Sequence, residues 1–367
     1  MTRSSIIFFL LLFCISSCKV INKVIDYPKG RPFVYESNIK LKNEQKTDRE
    51  RIGEDLNNYL DDSLRVKKVK KLFFITRRRN PPVFDSIYIG NSIQFVKSYL
   101  YSLGYFHAKD TFTVERKIEG DQQRCIVNIE INPGKKFFID SLAFNIKDTL
   151  LKKTILADAE NTLLKKGTPY SKKLIADELD RILQQARSNG YYKISKDVFI
   201  AQVDTTDLSL LETSLDPFEQ IKKLAEAEKR KESPTIHITI IQREGTDSTK
   251  LKQYVNGNIY FHPEIELKDE PDSILAHFPQ NKIDSINHIY IIGTNGLFDK
   301  NIFNKHTYIR PNRLYNDRIF LRTLNNYNQM GAWQQIDFKS IPYIDSTRLQ
   351  TNKDAAFRIT HHFFMTP

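Results

Sequence analysis

The side chains here with the most intrinsic chemistry are eight histidines and three cysteines, and their spacing brings few of them together. His361 and His362 are adjacent in a run that alternates like a strand, so they point to opposite faces and cannot share a metal ion. His107 follows Gly104-Tyr105-Phe106 as a strand-entry residue, and His237 alternates with Ile236 and Ile238 as a sheet residue. The carboxylates Asp61 and Asp62 stand at a helix end without a partner base. Cys125 opens Cys-Ile-Val-Asn-Ile-Glu-Ile, whose alternation puts Cys125, Val127, Ile129 and Ile131 on one strand face. There the thiol is a small apolar core group rather than a nucleophile. No Walker motif, Gly-x-Gly-x-x-Gly loop or Gly-x-Ser-x-Gly elbow occurs. The expectation is a protein with no catalytic residues, no cofactor and no metal, and so not an enzyme.

The remaining thiols lie at the start of the chain. After Met1-Thr2-Arg3, Ile6 to Ile15 is an unbroken apolar run, too short for a bilayer-spanning helix of ~20 residues. It reads as the core of an export signal. Ile15-Ser16-Ser17-Cys18 follows at once and resembles a bacterial lipobox. That implies a signal peptide over residues 1–17, diacylation of Cys18, a linker over 18–32, and contact with a lipid bilayer through the acyl chains. Cys14 leaves with the signal, so no disulfide is possible in the mature chain.

The 367 residues suit two or three domains, and 40% hydrophobic with 27% charged residues excludes a disordered chain or a polytopic membrane protein. Net charge is +12, with eight basic residues and no acidic one between Arg65 and Arg79. Lys67, Lys68, Lys70, Lys71, Arg77, Arg78 and Arg79 form a candidate contact surface. Such a run is most often a solvated basic face with no partner; the contacts open to it in an exported lipoprotein are anionic lipid and acidic protein, and nucleic acid is not an expected partner.

Three stretches share one pattern. Ile93, Val96, Leu100 and Leu103 have helical spacing after a cap at Asn91 or Ser92, and end in Gly104-Tyr105-Phe106. Ile175, Leu179, Ile182, Leu183 and Ala186 repeat it after Ser171 and end in Gly190-Tyr191-Tyr192. A third copy opens at Asn312, carries Leu314, Leu321, Leu324 and Tyr327, and ends in Gly331-Ala332-Trp333. Gly104, Gly190 and Gly331 are structural turn residues, each free to adopt the left-handed conformation that stops a helix. Strand-like runs precede each copy, at Phe33–Leu41, Phe137–Ile146 and Tyr254–Leu267, and two follow it. A further helix is expected before the capped one, best marked by Leu151, Ile155, Ala159 and Leu163. The unit therefore reads strand, helix, helix, strand, strand. Its limits are 33–134, 135–245 with a helical insertion at 205–233, and 246–367. Within these, 65–85 reads as a basic insertion and 265–287 as a polar loop.

Tandem units of this order with a glycine-aromatic exit resemble POTRA domains. Pro32-Phe33-Val34-Tyr35, Asn80-Pro81-Pro82-Val83-Phe84-Asp85-Ser86, Gly104-Tyr105-Phe106-His107-Ala108, Pro169-Tyr170-Ser171-Lys172 and Asp216-Pro217-Phe218-Glu219-Gln220 are similar to TamL-type lipoproteins of the BamA/TamA outer-membrane assembly family. The resemblance implies an α+β fold of three tandem POTRA-like β-α-α-β-β domains, each with two helices on a three-stranded mixed sheet. It implies a lipid-anchored outer-membrane protein with POTRA domains in the periplasm. Implied partners are unfolded outer-membrane barrel proteins, bound by strand addition at Lys109–Ile118, Asp197–Val203 or Gln334–Ile341, and TamB-like or other assembly partners. The family's C-terminal barrel of membrane strands does not follow the third unit in this sequence. The alternative is an envelope docking lipoprotein that binds one folded partner without client contact.

Overall fold

The computed structural model describes residues 21–42, 52–72, 75–204, 234–265, 271, 283–293, 298–349 and 356–366. Cys18 and the segment 205–233, with its expected helix, lie outside them.

The chain is an α+β protein of three successive modules. In the first, β2 (Pro32–Leu41) is followed by a helical turn at 52–56, the Ile87–Ser102 helix, β5 (Lys109–Glu119) and β6 (Gln122–Asn132). The sheet order is β2-β6-β5, with β2 parallel and β5 antiparallel to the central β6. Alternation builds its core directly. Cys125, Val127, Ile129 and Ile131 are all buried, the last three in one cluster with Ile89, Ile93, Val96 and Leu100 of the helix. Each such aliphatic side chain contributes ~1.5–3 kcal/mol relative to exposure.

The second module runs β7 (Phe138–Asn145), helices Thr149–Leu156 and Lys172–Arg187, β8 (Phe199–Asp204) and β9 (Thr235–Gln242), in sheet order β7-β9-β8. Its first helix stops well before Leu163. Glu178, 0% exposed, accepts hydrogen bonds from the backbone N–H of Leu163 (2.8 Å), from Thr162 Oγ1 (3.0 Å) and from Arg181, which also binds Asp158. These bonds draw the chain after residue 157 onto the second helix and away from helical continuation.

The third module differs most from expectation. Between β10 (Val255–His262) and helices Lys300–His306 and Asp317–Gln329 it inserts a hairpin, β11 (Ile283–Ile286) with β12 (Ile289–Ile292). With β13 (Gln335–Ile344) and β14 (Phe357–Thr366) the sheet has five strands, β11-β12-β10-β14-β13, rather than three. Asn287 and His288 make the hairpin turn with φ of +52° and +63°, the doubly left-handed conformation that matches strand twist. The second long helix here is capped by Asn316, whose side chain accepts from the N–H of Ile319, and not by Asn312. Its buried face is Phe320, Thr323 and Tyr327, while Leu314 and Leu321 are exposed. In the first module, too, the helix starts ahead of Asn91. Ser92 is buried within it, donating to Tyr88 O and accepting from the N–H of Asp61.

The expected linker and basic insertion pair with each other. β1 (Ile21–Ile25) lies parallel to β4 (Ile75–Arg79), which is antiparallel to β3 (Lys68–Leu72). This small sheet shares a separate cluster, Val24, Phe33 and Tyr35 with Ile126, involving side chains of the first sheet not used in its helix-side core.

By backbone proximity the chain divides into two compact units. One takes the described residues up to Phe138 together with Gly167–Lys172, Pro234 and Thr235, and the other takes the rest of the second module and the third.

Candidate functional site

In the first two modules one edge of the sheet is occupied and the other has no strand partner among the described residues; in the third, β12 and β11 lie beyond the first strand, so its edges are β11 and β13. The first strand is bridged at its outer side by the segment leading into the second helix. Phe33 pairs with Val83, Phe138 with Pro169, and Val255 with Leu314, all antiparallel. In the first module the N–H of Val34 donates to Pro82 O and that of Phe84 to Pro32 O, both at 2.9 Å. The strand after the second helix stands at the opposite edge: β5, β8 and β13. Unpaired N–H and C=O groups along such an edge are a template for an added strand.

The three edges are not equal. β5 pairs with β6 at every position from Lys109↔Asn132 to Glu119↔Gln122, closed by a two-residue turn led by Gly120 at φ +63°. None of its residues is buried, and Phe112 (51%) and Ile118 (78%) are exposed apolar groups on it. At ~3.4 Å per residue it offers ~35 Å of straight backbone. β13 carries exposed Phe338 and Ile344 but contains Pro342, which removes one donor. β8 is shorter, Phe199 to Asp204.

The glycine-aromatic exits do more than end helices. Gly104 has φ +93° and a Cβ there would lie 3.1 Å from Tyr170 O. Its carbonyl accepts from the N–H of Phe137 (3.0 Å), and Phe137 O accepts from that of Tyr170 (2.9 Å). Tyr105 is buried in its own core, while Phe106 stands edge-on to Phe137 (4.8 Å) and Tyr170 (5.0 Å). Within the other unit the arrangement recurs. Gly190 O accepts from Tyr254 N (2.8 Å), Tyr254 O from Tyr315 N (2.8 Å), and Tyr192 stands edge-on to Tyr254 and Tyr315. Sequence reading missed the receiving aromatics, although each stands just before a strand or a helix. Gly331 has φ +64° and open space around it; Trp333 beyond it donates to Pro263 O instead.

The candidate basic surface is only partly outward. Arg78 is 5% exposed: its Nε donates to Tyr35 O (2.8 Å), it pairs with Glu36 (3.2 Å), and its guanidinium lies 4.0 Å over the Tyr35 ring. Arg79 is exposed beside Asp26, Lys67 is exposed, and Arg77 is half-buried. Lys68, Lys70 and Lys71 lie on β3, where the backbone alone is described.

His361 and His362 do face opposite sides. His361 bonds Asn256 and Ser340 on the helix side, and His362 bonds His262 at 3.1 Å on the other. Burial, with the neighbouring His362 second, lowers both His262 and His361 from 6.5 to about 3, so they are neutral structural groups. Burial pushes the Cys125 thiol up. Among the described residues no group of three or more His, Cys, Asp or Glu is placed to hold a metal, and no helix is long and apolar enough to cross a membrane.

No protein-family model matches the chain, and neither does any curated protein. Among solved structures it is similar to POTRA domains 3–5 of BamA from Haemophilus influenzae, at 11% identity over 93% of this chain and 99% of that one, with a TM-score of 0.34. It is also similar to POTRA domains 1–3 of the periplasmic domain of Omp85 from Anabaena, at 10% identity over 93% and 98%, TM-score 0.23. The N-terminal domain of Omp85 from Thermosynechococcus elongatus gives 9% identity over 93% and 100%, TM-score 0.24.

Proposed function

We propose that this chain is the periplasmic POTRA region of an outer-membrane protein assembly factor, anchored through acylated Cys18, that receives extended segments of unfolded barrel proteins by strand addition. One observation carries the reading: in each module the strand after the second helix stands at a sheet edge with no strand beyond it among the described residues, and in the first two modules the other edge, at the first strand, is bridged by the segment before that helix. Added strands gain affinity from backbone hydrogen bonds, which are nearly blind to side chains, and this suits a receptor for many different clients. β5 is the edge of choice, being full-length, free of proline and flanked by exposed Phe112 and Ile118. Charged residues along it, among them Glu115, Arg116 and Lys117, keep it from pairing with a second copy.

The test is a titration of labelled peptides, each the length of one barrel strand, against the chain and against variants with proline at Thr111 or at Phe112. The two positions direct their N–H groups to opposite sides of the strand. One variant therefore blocks the open edge with β6 pairing intact, and it abolishes binding. If both variants bind as the parent does, edge addition at β5 is wrong. A chain that ignores all such peptides yet binds one folded envelope protein is a docking lipoprotein instead.

A further inference from the structure

The small sheet ties the most basic part of the chain to the residues immediately after the expected acylation site. β1 starts at Ile21, three residues beyond Cys18, and three residues of extended chain span at most ~10 Å. Register matters here. Ile21 pairs with Ile75 and Ile25 with Arg79, so β4 runs away from Cys18 alongside β1. β3 runs back toward it, with Lys68 opposite Arg78, Lys70 opposite Thr76 and Leu72 opposite Ile75. Lys70 and Lys71 thus occupy register positions at the Cys18 end, with Lys67, Lys68 and Arg79 farther along.

The sheet is also fixed to the first module. Arg78 is held by Tyr35 and Glu36, Val24 packs with Phe33 and Tyr35, and Asn80 N donates to Ile25 O at 3.1 Å. Arg78 is therefore a structural pin. By register Lys68 and Lys70 lie on its side of the sheet and Arg77 and Arg79 on the other, so the basic feature is the lysine-rich edge strand with the residue before it, Lys67 to Lys71, on a sheet fixed to the first module. β3 and β4 carry no acidic residue. If Cys18 carries lipid, the near end of this edge, at Lys70 and Lys71, is tethered within ~10 Å of the head groups, comparable to the ~8 Å over which a charge feels an anionic surface at physiological ionic strength.

We infer that the β1-β4-β3 sheet is a membrane-contact surface for anionic phospholipid head groups. It orients the first module against the bilayer through Lys67, Lys68, Lys70 and Lys71. The inference rests on the reading of Cys18 as a lipid attachment site. An acidic protein partner is the competing occupant, but a partner protein has no reason to be found at the anchor, whereas the bilayer is necessarily there.

The experiment uses the mature chain from Cys18 onward, prepared without acylation, and sedimentation with vesicles of phosphatidylcholine alone or with phosphatidylglycerol added. The expected result is binding to the phosphatidylglycerol vesicles only, weakening as salt rises. K67Q/K68Q/K70Q/K71Q should lower it by more than about tenfold. A variant of equal net charge, K152Q/K153Q/K165Q/K305Q, should bind nearly as the parent does. Equal losses from the two variants would reduce the effect to overall charge and overturn the inference, as would equal binding to both kinds of vesicle. Capture by an acidic polypeptide without vesicle binding would overturn it in favour of a protein partner. Should the first variant fail to fold, K70Q/K71Q beside K152Q/K153Q makes the same comparison with two charges each: a larger loss from the first pair is expected, and equal losses overturn the inference. Fatty-acid labelling of the full-length chain and of Cys18→Ala reads the anchor separately: labelling without vesicle binding sinks the contact surface alone, and vesicle binding without labelling sinks the anchor alone.

Discussion

The backbone N–H of Tyr254 donates to the carbonyl oxygen of Gly190 at 2.8 Å, and the two residues stand where the second module hands over to the third. Gly190 has φ +99°, and a Cβ there would lie 3.1 Å from the Gln253 side chain and 3.2 Å from that of Leu314. The same bond joins Gly104 and Phe137. The glycine is thus needed twice, for its dihedral and for the approach of the next segment.

Gly190→Ala should therefore cost about 2 kcal/mol or more, combining left-handed strain with displacement of Gln253 and Leu314. Gly331→Ala, where nothing lies within 4 Å, should cost only the strain, about 1 kcal/mol. Denaturant unfolding of the two variants beside the parent checks the order; equal losses would mean that the close approach is unimportant.

Glu178→Ala should destabilise the second module by ~3–5 kcal/mol, because a buried carboxylate leaves Arg181 and the N–H of Leu163 without their acceptor. The loss should appear first between residues 157 and 166, as faster proteolysis there than in the parent. Uniform destabilisation with that segment still protected would show that Glu178 does not hold it.

How far the sequence was legible follows from the same residues. Alternation from Cys125 to Ile131 located a strand and its buried face, because period two is a local signal. The helix exits at Gly104 and Gly190 were readable for the same reason. The arrest of the helix after Leu156 was not, since it depends on Glu178, more than twenty residues away. Nor was the β11–β12 hairpin, whose Asn287-His288 turn lacks the usual glycine. β1 escaped notice because five residues, Ile-Asn-Lys-Val-Ile, show no clear period and gain their partner only when β4 folds beside them. Arg78 read as one more surface cation; its burial depends on Tyr35 and Glu36, over forty residues away.

The third module should weaken in acid. His262 and His361 are held neutral, at about 3 against 6.5 when unfolded, so the unfolded chain binds more protons at intermediate pH. The groups around them are His362, Asn256, Ser340, Tyr315, Phe320 and Phe364. Their contribution is complete above about pH 6.5 and is lost as pH falls toward 3. Between pH 7 and 5 the loss is about 2 kcal/mol per histidine. Denaturant midpoints at the two pH values measure it, and His262→Phe should flatten the dependence. A parent midpoint that does not move would contradict the assignment.

Strand addition at β5 is read by amide hydrogen exchange along Lys109–Glu119, with and without a peptide from an unfolded outer-membrane barrel strand. Alternate amides of β5, those facing away from β6, should become protected on binding while the amides already paired with β6 stay as they were. Protection that leaves β5 untouched, or that appears on a helix face instead, would contradict strand addition at this edge.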